Sequence, residues 1–166
     1  MESVLDMYIL NLIAGHVETA YELQVAGKIS LGSSSPALKR LQASGAIVSK
    51  RSPPGKKHRQ PFELTQLGRE RLKASRASLL FTEPPSDIDS ILRILDICDM
   101  QGHSPSSSKN FVKQAATDRD KRIKIILLTE RYDEPGLEYL ARRRDWELTK
   151  LRAEIRFLIQ LAESFE

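Results

Sequence analysis

Two groups of side chains in this sequence have the types and spacing to grip a polyanion. The first is the serine run Ser33, Ser34 and Ser35, followed by Pro36 and then by Lys39, Arg40 and Gln42. Serine hydroxyls at a helix start accept hydrogen bonds from free backbone amides, and the same amides, with the helix dipole behind them, attract phosphate. One and two turns further on, glutamine can pair with adenine in a bidentate way, lysine can reach guanine and arginine can turn to phosphate. The second group is Lys50, Arg51, Lys56, Lys57 and Arg59, set around Pro53, Pro54 and Gly55. A tight turn carrying that many cations suits a phosphate backbone or a minor groove.

Other chemistries find little support. His16, His58 and His103 are scattered without metal-ligand spacing, and Cys98, the only cysteine, falls at an apolar helical position with no histidine nearby in sequence. "GSSSP" lacks the preceding strand of a nucleophile elbow, and no glycine-rich phosphate loop is present. The expectation is a protein that is not an enzyme and holds neither metal nor cofactor. With one cysteine, acidic residues Glu2 and Asp6 at the start and no apolar run near 20 residues, a cytoplasmic, non-membrane protein is expected. The net charge of +4 is mild, but residues 1–82 carry 12 Lys and Arg against 6 Asp and Glu, whereas residues 83–166 carry 14 against 16. The anionic partner is therefore expected at the N-terminal half.

Leu5, Ile9, Leu12 and Ile13 predict a first helix from about Ser3 to Ala14, closed at Gly15. Thr19 caps a second helix to about Ala26. A third starts at Ser33 or Ser34, takes Pro36 in its first turn and stops at Gly45, with Ala37, Leu38 and Leu41 inward. "AIVSK" at 46–50 and "PFELT" at 61–65 predict two strands of a β-hairpin, and Thr65 caps a fourth helix. Helix, helix, helix, hairpin, helix is the winged helix-turn-helix order. The fold class is mainly α with a small β-hairpin: a winged helix-turn-helix domain over 1–82, and after the linker "TEPPSD" a helical domain over 87–166. Within the second, helices are predicted over 87–101, from about Lys109 to Arg131, and after Pro135 and Gly136.

The last helix carries a heptad seam in which Leu137, Ala141, Arg144, Leu148, Leu151, Ile155, Leu158, Ala162 and Phe165 step by four and three. Such a seam seeks another helix. A homodimer with Leu137, Leu148, Leu151, Ile155 and Leu158 at its interface is expected.

The segments "AYELQ" (20–24), "GSSSPALKRLQASGAI" (32–47) and "FELTQLGRERL" (62–72) resemble the PadR family of winged-helix transcriptional regulators, over about residues 4–75. Two positions depart from its pattern, Ser35 where the family has tyrosine and Ser34 where it has a leucine-like residue, and both remove bulk from the helix start. The resemblance implies a DNA-binding regulator, a repressor in the reading adopted, that binds double-stranded DNA and dimerises through C-terminal helices. It also implies a role for Trp146, since some members hold a small aromatic effector with a tryptophan of the C-terminal helix; the alternative is an ordinary interface or core aromatic. The rival reading of the whole chain is a winged-helix protein-interaction module whose C-terminal helices bind a protein partner.

Overall fold

The computed structural model describes residues 3–50, 60–75, 83–128 and 138–165. Ser3 caps α1 (Val4–Ala14), its hydroxyl accepting from the Asp6 amide. Thr19 opens α2 (Ala20–Val25) with a reciprocal capping box, its hydroxyl on the Glu22 amide and the Glu22 carboxylate on the Thr19 amide. α3 (Leu31–Ala43) ends in a Schellman motif: the Ala46 amide returns to the Leu41 carbonyl, the Gly45 amide to Gln42, and Gly45 takes the left-handed φ of 72° that this closure requires.

β1 (Ile47–Ser49) and β2 (Phe62–Leu64) pair antiparallel with Ile47 opposite Leu64 and Ser49 opposite Phe62, one residue shorter at each end than the strands read from sequence. The Phe62 amide donates to the Glu18 carbonyl, which ties the pair to the loop between α1 and α2. Thr65 caps α4 (Gln66–Ser75), its hydroxyl accepting from the Gly68 amide while lying 2.6 Å from the Gly45 carbonyl. Gly68 packs its backbone directly on the chain leaving α3, where a Cβ would stand 2.1 Å from the Ala46 carbonyl oxygen. α1, α2, α3, the strand pair and α4 make the winged helix-turn-helix arrangement around Ile9, Leu10, Leu23, Leu38, Leu41 and Ile47, all buried.

The remaining elements are α5 (Ile88–Met100), α6 (Pro105–Leu127) and α7 (Glu138–Glu163). α6 begins four residues before the sequence-based start at Lys109, because Pro105 stands at the first helical position, where its missing N–H has no partner to lose.

Two compact units divide the chain, but not at the 82–87 linker alone. Leu92–Gly102, most of α5, groups with the described residues up to Ser75, while Glu83–Ile91 groups with the residues from His103 onward. The physical reason lies in buried polar ties and apolar packing that the linker's prolines do not reveal. The Tyr8 hydroxyl donates to Asp96 at 3.0 Å, Gln101 donates to the Asn11 side chain at 3.1 Å, and Ile94, Leu95, Ile97 and Cys98 are buried. Burial and the Asp96 carboxylate together push the Tyr8 phenol up to about 12. Burial also raises the Cys98 thiol, to about 11, as expected of a structural cysteine rather than a nucleophile.

In the second unit α6 lies along α7. Ile123, Leu148 and Leu151 form a buried cluster with Ile126 and Ile155 against it, and Leu158 and Ala162 are also buried. Arg119, only 5% exposed, donates to Glu154 at 2.6 Å and to the Ala115 and Ser86 carbonyls, so its buried charge is paired and its donors are occupied.

Candidate nucleic-acid interface

The helix start that the serines were expected to make is made by Ser30. Its hydroxyl accepts from the Ser33 amide at 3.2 Å, and α3 runs from Leu31, three residues earlier than the serine run suggests. That shift rearranges the face. Ser33 is exposed but engaged with the Ser30 hydroxyl at 3.0 Å, and Ser34 is fully buried, so Ser34 is removed from any contact surface. Ser35 stays exposed. Pro36 falls in the second turn, not the first, and the Gly32 carbonyl loses the amide that would have returned to it.

With the helix in this register, Gly32, Pro36, Lys39 and Ala43 recur at steps of four, three and four and form the centre of the exposed face, with Ser35 beside them. Sequence reasoning found Lys39 and Ser35 but passed over Gly32, Pro36 and Ala43. The signal was present in Ser30, a capping residue three before Ser33, and was masked by the longer serine run that follows.

The expected base readers meet different fates. Lys39 is exposed and makes no ion pair or hydrogen bond among the described residues. Arg40 instead turns to the buried Asp6, with Nη2 2.6 Å from Oδ1 and Nε 3.3 Å from Oδ2, and this bidentate bond raises the arginine pKa further. It bolts α3 to α1, so the guanidinium expected at nucleic acid is engaged by an internal carboxylate while remaining half exposed. Gln42 donates to the Ser49 hydroxyl at 2.7 Å and so joins α3 to β1 rather than presenting a free amide. Lys50 lies between Glu18 at 3.6 Å and Glu63 at 3.3 Å, and its bond to Glu63 is the chief reason its pKa is raised. Its charge is offset within the protein, unlike that of Lys39. Arg51, Lys56, Lys57 and Arg59 lie outside the described residues.

The expected dimer seam is likewise occupied. Leu148, Leu151 and Leu158 are buried, with Leu148, Leu151 and the partly buried Ile155 packed with Ile123 of α6, so the partner helix that the heptad seeks is in the same chain. Leu137 lies outside the described residues. Trp146 stands on the opposite side of α7, 65% exposed, with the Lys150 ammonium 5.6 Å from its ring centroid. It is therefore not a core aromatic. Tyr139 and Phe157 are exposed on the same side.

Among the described residues no helix is long and apolar enough to cross a membrane. No protein-family model matches the chain, and no curated protein matches it either. Among solved structures the chain is similar to Bacillus subtilis PadR, determined in complex with operator DNA: the two are 16% identical, with 99% of this chain and 100% of that chain covered and a TM-score of 0.42, a likeness too distant to carry an argument.

Proposed function

We propose that the chain is a sequence-specific, double-stranded DNA-binding transcription regulator of the PadR-like type, a repressor, with α3 laid in the major groove. The observation that carries this reading is the outward stripe of α3. Gly32, Ser35, Pro36 and Ala43 are small enough for the helix backbone to approach base edges, Pro36 and Ala43 offer apolar contact to a thymine methyl, and Lys39 supplies a cation that no carboxylate neutralises among the described residues. The basic excess of residues 1–82 supports it, and in this reading Arg51, Lys56, Lys57 and Arg59 lie along phosphate. Selection of bound fragments from random duplex, followed by affinity measurements over a salt series, tests the proposal. The expected result is a steep fall of affinity with salt and a preferred sequence; salt-independent association or no duplex binding overturns it.

Dimerisation in this reading uses the outer side of α7. Tyr139, Trp146, Lys150, Ala153 and Phe157 follow one another at steps of seven, four, three and four, and all five are exposed, which makes a second helix-sized surface opposite the occupied one. Trp146 at that surface is the candidate contact for a small aromatic effector. Deleting the end of α7 is a poor test, since it strips the partner from α6. Trp146→Glu with Phe157→Glu leaves the buried face intact, and light scattering should then report a monomer; a dimer that persists sinks the assignment.

A further inference from the structure

A cleft of about 460 Å³ lies in the first unit, bounded by the end of α1, the base of the strand pair and α4. Its volume falls in the range of small-molecule sites. The described residues that line it sort into three kinds. Ile13, Leu64 and Leu72 supply aliphatic surface. Glu18 and Glu63 share a single lysine, Lys50, so their side of the cleft carries one carboxylate more than it neutralises, with His16 3.9 Å from Glu18. Arg69 and Lys73, one turn apart on α4, make no ion pair among the described residues and leave the α4 side with a pair of uncompensated cations. His16 takes the left-handed φ of 67° at the residue that closes α1, its amide returning to the Ile13 carbonyl and the Val17 amide to Leu12, which sets its ring at the rim of the cleft.

We propose that this cleft binds a free α-amino acid with an aliphatic side chain, its carboxylate on Arg69 and Lys73, its ammonium on Glu18 and Glu63, and its side chain against Ile13, Leu64 and Leu72. Two cations without an ion pair among the described residues, opposite two carboxylates that one lysine only half neutralises, around aliphatic surface, match a compact zwitterion with an apolar body. A phosphate strand would gain Arg69 and Lys73 but would also meet two carboxylates. Nothing in this site depends on DNA binding, and its test contains no DNA.

L-Leucine is titrated into the full ¹⁵N-labelled chain, alongside 4-methylpentanoate, which lacks the ammonium, and isopentylamine, which lacks the carboxylate. The expected result is saturable amide shifts centred on Ile13, Leu64, Arg69 and Lys73, with each one-charge analogue at least about tenfold weaker, the loss expected for one charge-assisted contact. Arg69→Gln and Glu63→Gln, both at exposed positions, should each weaken leucine by about the same factor without moving the melting temperature. The analogue comparison on the unaltered chain decides the matter whatever the variants do to stability. No saturable shift with leucine, an analogue that binds as tightly as leucine, or inorganic phosphate shifting the same amides as strongly would each overturn the proposal.

Discussion

α3 and α7 are both amphipathic helices whose apolar residues mark a buried face, and the two differ in what the structure does with the rest. In α3 the inward residues Ala37, Leu38 and Leu41 are buried as their spacing requires, while two of the long polar side chains on the other face are taken up by neighbours, Arg40 by Asp6 and Gln42 by Ser49. What remains outward is small, with Lys39 the charge that has no ion pair among the described residues. In α7 the heptad seam is buried by α6, and the face left over is large and aromatic rather than small and polar. Periodicity reports that a face is covered. It does not report by what, and the residues that interest function are those the covering leaves behind.

The sharpest break in this comparison lies within α7. Leu158→Ala, at a side chain with no exposure, should cost about 3 kcal/mol through lost burial and a cavity, read by urea unfolding at low protein concentration. Trp146→Ala under the same conditions should stay within about 0.5 kcal/mol. Equal losses would mean that both faces of α7 are covered in the protomer. Gly68→Ala tests the closure that holds α4 against the chain leaving α3: with the Ala46 carbonyl oxygen in the way, about 2 to 3 kcal/mol of destabilisation is expected, and a neutral outcome would show the backbone yielding there.

A smaller effect separates the two polar residues of α3. Lys39→Ala should lower duplex affinity and reduce the salt slope by about one unit, whereas Gln42→Ala should leave the slope unchanged and cost about 0.5 to 1 kcal/mol of stability through the lost Ser49 bond. A salt slope that moves with Gln42 but not with Lys39 would reverse the assignment of the face.

The last expected effect is a pH dependence confined to alkaline conditions. Because Tyr8 is raised from 10.0 to about 12 in the fold, its contribution is complete below pH 10 and is lost as pH rises toward 12, where the folded phenol also ionises. Tyr8→Phe should flatten the stability profile over that interval. An unchanged slope would mean that neither the burial of the Tyr8 phenol nor its Asp96 contact persists in solution.

Much of the N-terminal unit was legible in the sequence because its signals are local. Ser3, Thr19 and Thr65 cap the helices they precede, and Gly45 takes the left-handed closure of α3. The start of α3 was displaced by competition between equally good caps, Ser30 against Ser33 and Ser34, which local chemistry cannot resolve. The fates of Arg40 and Lys50 were not legible, since Asp6 is 34 positions from Arg40 and nothing in either segment announces the other.

By itself the sequence determined the order of helices and strands, the inward faces of α3 and α7 and the basic excess of the first 82 residues, because capping, periodicity and charge are properties of neighbouring residues. Only the tertiary structure decided that most of α5 joins the first unit, that α6 covers the α7 seam, and that Arg40 and Gln42 are spent on internal bonds while Lys39 has none among the described residues. Those outcomes depend on which surfaces meet across long separations in the chain, where burial and pairing of charge, not local propensity, set the free energy.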